Sequence, residues 1–435
     1  MKGDPGESEP ALGKGPGSRA CGAPATTINL RSRLVSPNLI AQERSVIPAV
    51  MPTYGRWDVA VERGEGPYLY ATDGRKFLDF TSGIAVTGLG HCHPHVVAAV
   101  TEQAKRLWHT SNLFRIPGQE RLAQRLVDDT FADTVFFGNS GAEACELAIK
   151  VARKYQSETG HPERYRVIGC HGSFHGRTFA TLAAAGNEAY LKGFGPPMEG
   201  FDHVAFGNLN EMRAAIGKET AAIMVEPIQG EGGVRAPPEG YLRGLREIAD
   251  EFGLMLVYDE VQCGMGRTGK LFAHEWEDVP PDIMAIAKAL GNGFPVGACL
   301  ATERAAVGMV AGTHGSTFGG NPLAMAAGNA VLDTMLEPGF FGRVELMAKR
   351  LRGRLETFAK SYPKLFAEVR GSGLLLGIRG IVTAGDFVAK LRQNGLLTLT
   401  AGDNVLRILP PLIVGERDID EALDIMNKVA REWPA

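Results

Sequence analysis

A chain of 435 residues is longer than one hydrophobic core usually takes, so two domains are expected. A net charge of -3 without a dense Lys/Arg tract excludes a polyanion-binding surface, and no apolar run is long enough to span a bilayer, so neither nucleic acid nor membrane is an expected partner. Six cysteines (Cys21, Cys92, Cys145, Cys170, Cys263 and Cys299) with no CxxC pair fit a reduced, cytoplasmic protein better than a disulfide framework.

Met1 to about Thr27 is rich in Gly, Pro and Ser and carries no apolar periodicity, which predicts disorder. It lacks the apolar stretch of a signal peptide, and its acidic residues argue against a transit peptide. We expect residues 1–46 to be a dispensable extension or the product of a start assigned too early, with the true start near Met51; an intact Met1 in the native protein's mass spectrum would exclude the second.

Tyr68 to Phe80 alternates apolar and polar residues around Asp73-Gly74, a hairpin signal. In Gly83–Val96, His91, Cys92, His93 and His95 invite a metal reading. Alternating spacing, Pro94 and the lack of a second ligand cluster weigh against it, and no metal site is expected. His93-Pro94 looks like the entry to a helix over Val96–Trp108. Thr134–Phe137 is a strand, Gly138-Asn139 a turn, and a helix follows from Ser140, with Ser140 and Glu143 spaced as a capping box. A strand, a turn and a helix N-terminus with free N–H groups at Gly141 and Ala142 also suit an anion, although an ordinary capped helix reads the same way.

Tyr165–Cys170 and Ala221–Val225 are further strands. The first leads into a Gly-rich loop with Phe174 and Arg177; the second ends in the acidic EPIQGEGG. Residues 241–252 read as a helix. The apolar run from Leu254 to Tyr258 stops at Asp259 and Glu260, and that of Ile283–Ala287 stops at Lys288. Ligands of open α/β sheets bind at the carboxyl ends of strands, so an acid and a lysine face one crevice. A buried lysine with a lowered pKa attacks carbonyl groups, and an acid near a pyridinium nitrogen is its partner in pyridoxal chemistry. A structural Asp259–Lys288 salt bridge accounts for the two residues equally well. Gly297–Ala301 is a short strand, and a helix starts near Pro322.

The alternation from about 95 to 336 predicts a mostly parallel sheet with helices on both faces. Beyond Glu337-Pro338-Gly339 come a long amphipathic helix (Phe340–Tyr362), an antiparallel pair turning at Gly371 and Gly373, a helix (Ala384–Asn394), an edge strand closed by Pro410 and Pro411, and a final helix with Ile419, Leu423, Met426 and Val429 on one face. The expected division is 47–94, a segment packing with the small domain; 95–336, the large domain; and 337–435, a smaller α+β domain.

Eight motifs in order, GIAVTGLGHCHP, NSGAEACELAIKVAR, SFHGRT, EPIQGEGG, YDEVQCGMGRTG, AKALGNGFPVGA, HGSTFGGNPLA and LRILPPL, resemble those of the class III aminotransferases, the ω-aminotransferase group of fold type I. The resemblance runs from about Ile47 to the C-terminus. It implies pyridoxal 5'-phosphate bound by the large, mostly parallel α/β domain of an enzyme. Carried over by motif, Lys288 holds the cofactor and shuttles the proton. Asp259 pairs with the ring nitrogen, Gln262 bonds near the phenolic oxygen, and Phe174 stacks on the ring. Ser140, Gly141 and Ala142 hold the phosphate, and Thr317 reaches it from the neighbouring subunit of a homodimer whose sites lie at the interface. Ala142 stands where the group often has threonine, which predicts slightly weaker cofactor retention.

For substrate, the resemblance assigns Arg177 to the carboxylate distal to the reacting amine and Arg407 to the α-carboxylate of glutamate. Glu231 masks Arg407 when an ω-amine is bound, and Ser316 lies with the substrate residues. A switchable ion pair lets one pocket take a chain with a carboxylate beside the reacting carbon and then one without it. The implied reaction is transamination of N-acetylornithine with 2-oxoglutarate to give the semialdehyde and glutamate, a step of arginine biosynthesis. N-succinyl-diaminopimelate, of lysine biosynthesis, is an additional donor. Succinylornithine, ornithine and 4-aminobutyrate are alternative donors. A pyridoxal-dependent aminomutase is disfavoured by the Glu231–Arg407 switch, and a non-catalytic cofactor-binding protein by Lys288 with Asp259.

Overall fold

The computed structural model describes residues 48–434; the expected extension at 1–46 lies outside the described residues. Two units divide after Asp58. In the first, residues 48–58 form no helix or strand. The second, Val59–Ala435, contains every named element.

Its first strands, β1 (Val61–Glu65), β2 (Tyr68–Ala71) and β3 (Lys76–Asp79), make an antiparallel meander. The expected Asp73-Gly74 turn joins β2 to β3, with Gly74 at a φ of 86°. Then come the large sheet's β4 (Thr134–Gly138), β5 (Arg166–Cys170), β6 (Phe201–Val204), β7 (Thr220–Val225), β8 (Met255–Asp259), β9 (Ile283–Ile286) and β10 (Gly297–Ala301). The order across it is β4-β10-β9-β8-β7-β5-β6. β6, β5, β7, β8 and β9 pair in parallel, and β10 runs antiparallel to both neighbours. The buried apolar strands β7, β8 and β9 lie at its centre, as a sheet covered on both faces requires.

The carboxyl ends of β4, β5, β7, β8 and β9 therefore open on one edge, and each is followed by a candidate residue. Helices Gly141–Glu158 and Tyr241–Phe252 supply buried faces of Leu147, Ala148 and Val151, and of Leu242, Leu245 and Ile248. The helix expected over Val96–Trp108 runs instead over Pro94–Ala104, starting two residues earlier and ending four earlier, and Trp108 is exposed. β6 and the helix Pro117–Asp128 are not among the expected elements: β6 is only four residues and half-buried, while the helix carries a Pro at its start and Leu122 and Leu126 one turn apart on its buried face, a signal that the sequence does hold.

The last sheet holds β11 (Phe366–Ser372), β12 (Leu375–Gly380), β14 (Leu399–Ala401) and β15 (Val405–Ile408), in the order β11-β12-β15-β14. β15 lies between two partners, which corrects the expected edge strand. Pro410 and Pro411 come after its last residue, so they remove no ladder donor from it. β13 (Leu396–Leu397) instead joins β3 in parallel, pairing Leu396 with Leu78.

Candidate active site

The helix Gly141–Glu158 starts at the carboxyl end of β4 because Ser140 caps it. Its Oγ accepts the Glu143 N–H at 3.2 Å and donates to Glu143 Oε2 at 2.9 Å, while that carboxylate also takes the Asn139 N–H at 2.8 Å. Half of the predicted capping box is formed: Ser140 caps the Glu143 N–H, but the Glu143 carboxylate takes the N–H of Asn139 rather than that of Ser140, and the Gly141 and Ala142 N–H groups have no intrahelical acceptors. Gly141 is required by close packing: a Cβ there would lie 2.6 Å from Val261 Cγ1.

At the end of β8, Asp259 and Glu260 point to opposite faces, as successive strand residues do. Glu260 is structural: it accepts the Ala273 and His274 N–H groups at 2.6 and 2.9 Å and meets His274 Nδ1 at 2.8 Å. Asp259 faces the crevice. Its Oδ1 accepts the Val261 N–H at 2.9 Å; its Oδ2 meets His175 Nδ1 at 2.7 Å and accepts from Cys145 Sγ at 3.2 Å. Burial, and then the nearby Asp259 charge, push the Cys145 thiol well above its usual pKa, so it is a donor here.

Lys288 follows β9 with a φ of 49°, in the left-handed region that costs a non-glycine residue about 1–2 kcal/mol. Such strain gathers at functional positions. Burial pulls its amine down to about 8, against the opposing pull of Glu231. No Asp259–Lys288 ion pair forms among the described residues, so the structural salt bridge is not what these two residues are for.

Ser140, Gly141, Ala142, Phe174, Arg177, Asp259, Gln262 and Lys288 line one cavity of about 460 Å³. The exposed Arg177 stacks on Tyr190, its guanidinium carbon 3.7 Å from the ring centre, and Phe174 meets the same ring edge-on. Glu231 and Arg407 form an ion pair at 2.6 Å and are joined to the wall through Gln262, whose Oε1 lies 3.1 Å from Arg407 Nη1. Ser316 and Thr317 do not line the cavity. Ser316 Oγ accepts the Gly319 N–H at 2.9 Å, and Thr317 is exposed.

Three participants carried no assigned role in the sequence. His175 is buried, bonds Asp259, and has an Nε2 with no partner. Glu226, at the end of β7, accepts the Phe174 N–H at 3.2 Å, and burial followed by the Asp259 charge raises it well above the usual carboxylate range. Its only signal was an acid at a strand end. Cys145, on the capped helix, has a role only because that helix crosses beneath β8. Of the histidines at 91–95, His91 meets Asp79 at 2.8 Å and His95 meets Asp333 at 3.0 Å, while His93 Nδ1 is buried without a partner.

These groups fit a phosphorylated pyridine aldehyde. One wall presents helix N–H groups without intrahelical acceptors, the floor a buried carboxylate with no Lys or Arg partner among the described residues, and the side a lysine amine of lowered pKa.

The family model of the class-III aminotransferases matches residues 50–430. The chain is 57% identical over 383 residues to an acetylornithine aminotransferase of Mesorhizobium japonicum, covering 88% of this chain and 96% of that protein. It is 55% identical over 381 residues to one of Brucella melitensis, covering 88% and 94%. Among solved structures, N-acetylornithine aminotransferase of Stenotrophomonas maltophilia superposes with a TM-score of 0.77 at 39% identity, covering 87% of this chain and 97% of that one. Ornithine aminotransferase of Toxoplasma gondii, with PLP partially occupying its active site, gives 0.84 at 32%, covering 88% and 92%.

Proposed function

Given that the chain belongs to the class-III aminotransferases, we propose that it transfers the δ-amine of N-acetylornithine to 2-oxoglutarate with pyridoxal 5'-phosphate, acting as a cytoplasmic homodimer. The observation that carries the substrate reading is the pairing of Glu231 with a buried Arg407 while Arg177, at the cavity mouth, has no carboxylate partner among the described residues. Relatives acting on acetylornithine, at 57% identity, support that donor over ornithine. No helix among the described residues is long and apolar enough to cross a membrane.

When bound, the cofactor supplies the electron sink that makes the hydrogen on the reacting carbon acidic. The chain's residues do the rest. Gly141 and Ala142 N–H groups bind the phosphate, and Asp259, oriented by His175, Cys145 and the Val261 N–H, supports positive charge on the ring nitrogen. Phe174, anchored through its N–H to Glu226, covers one ring face. Lys288 Nζ would take the proton from the reacting carbon and deliver it to the carbon that was the cofactor's aldehyde, a role its lowered pKa suits. Arg177 clamps the carboxylate of N-acetylornithine while Glu231 covers Arg407. In the second half-reaction Glu231 yields Arg407 to the α-carboxylate, so no buried guanidinium is left unpaired.

A single half-reaction tests this. N-acetylornithine added to the holoenzyme without keto acid is expected to bleach the absorbance of the lysine-bound cofactor, and 2-oxoglutarate to restore it. Conversion by glutamate alone would leave the transferase and remove the donor; no conversion by either would remove both.

A further inference from the structure

Arg407 is 3% exposed, and its bonds are few for a buried guanidinium. Nη1 is shared between Glu231 Oε1 at 2.6 Å and Gln262 Oε1 at 3.1 Å; Nη2 reaches only the Thr400 carbonyl, at 3.4 Å; Nε is buried without an acceptor. The two Nη1 partners differ in kind. The Glu231 side chain is charged and 28% exposed, so it has a way out to solvent. Gln262 is neutral, 7% exposed and part of the cavity wall.

Next to Glu231, Gly230 makes this arrangement possible. A Cβ at position 230 would sit 1.9 Å from Gln262 Oε1 and 2.4 Å from its Cδ, so any side chain there drives the amide away from Arg407. Gly230 carries no left-handed φ, and its lack of a side chain is needed for space rather than conformation.

We propose that Gln262 is a positioning residue for Arg407: a fixed, neutral acceptor that keeps the guanidinium in register when Glu231 leaves, with Gly230 as the steric condition for it. This rests on reading Arg407 as the receptor of the α-carboxylate. A buried cation left with only the long Thr400 carbonyl contact would drift or need a new partner before each substrate arrived. A charged acceptor in the same place would compete with the incoming carboxylate. A neutral amide does neither.

The test uses holoenzyme variants Gln262→Glu and Gly230→Ala, with glutarate as an unreactive five-carbon dicarboxylate whose two carboxylates match Arg177 and Arg407. Calorimetry is expected to show glutarate affinity weakened about tenfold to a hundredfold in both variants, the size of one charge-assisted hydrogen bond. The Michaelis constant for N-acetylornithine, which leaves Arg407 with Glu231, is expected to move far less than that for glutamate. Affinity within about twofold of the parent in either variant, or parallel changes in the two Michaelis constants, would overturn the proposal. Should N-acetylornithine fail to convert even the parent enzyme, the donor reading falls, and the glutarate affinities still decide the role of Gln262.

Discussion

Lys288 illustrates what a reactive residue costs. Its amine is held near 8 by burial, below the value of about 10.4 in an unfolded chain. Between those two values the unfolded chain holds the extra proton, so this group makes stability rise with pH there; below about 8 its penalty is full and constant. In cofactor-free protein, Lys288→Met is therefore expected to raise the melting temperature at pH 7, with the gain shrinking as pH approaches 10. A gain that does not depend on pH would assign the effect to packing. Ala142 gives the opposite case, a missing group at a site whose N–H is already in place. Ala142→Thr is expected to slow cofactor release, and release that is unchanged or faster refutes the idea that the absent hydroxyl weakens retention. Lys288 and Asp259 were legible in the sequence because polar residues ending apolar strands need a reason. Gln262 was legible only by family resemblance, and Gly230 and His175 not as functional residues at all. The contact of Gly230 with Gln262 depends on β7 and β8 lying side by side, and His175, in the loop after β5, reaches Asp259 from two strands away.

At the scale of elements, the helix Gly141–Glu158 joins stability to chemistry. The same cap that starts the helix turns its free N–H groups to the cavity. Ser140→Ala removes a bond to the Glu143 N–H and is expected to cost about 1 kcal/mol in urea unfolding of the cofactor-free protein. It should also weaken inorganic phosphate binding, because the first turn frays. Loss of stability with phosphate affinity intact would separate cap from anion site. Most elements were legible here: Tyr241–Phe252 and Gly297–Ala301 match their expected bounds because a continuous apolar face or run ends at a glycine or at a polar residue. β15 shows the limit. Two prolines past a strand end predict an edge only if the strand reaches them, and this one stops at Ile408. The partner that covers it, β14, is three residues long, too short to leave a periodic signal.

For the whole molecule, the relation that matters is between the cavity and Thr317, which lies outside it. The segment carrying Thr317 is exposed, and so are Trp108, Leu113, Phe114 and Phe318, at 66%, 91%, 65% and 59%. Large apolar side chains left this bare are a recognised mark of an association surface. With Thr317 outside the cavity of its own chain, the homodimer reading requires that each subunit complete the other's phosphate site. Subunit mixing tests that directly. Lys288→Ala chains have no reacting amine, and Thr317→Trp chains block the site to which they contribute. Neither homodimer is expected to turn over substrate at a useful rate. In a hybrid, the site with the intact Lys288 receives its Thr317 from the Lys288→Ala chain, and one of two sites is whole. Random pairing of equal amounts makes half the dimers hybrid, so activity of about a quarter of the parent's is expected after co-expression. If Thr317 serves its own chain, the hybrid's intact lysine sits beside tryptophan and the mixture stays inactive. Native mass spectrometry of the same sample separates the hybrid from both homodimers and shows whether it formed, so an inactive mixture containing confirmed hybrids counts against exchange of Thr317 and not against assembly.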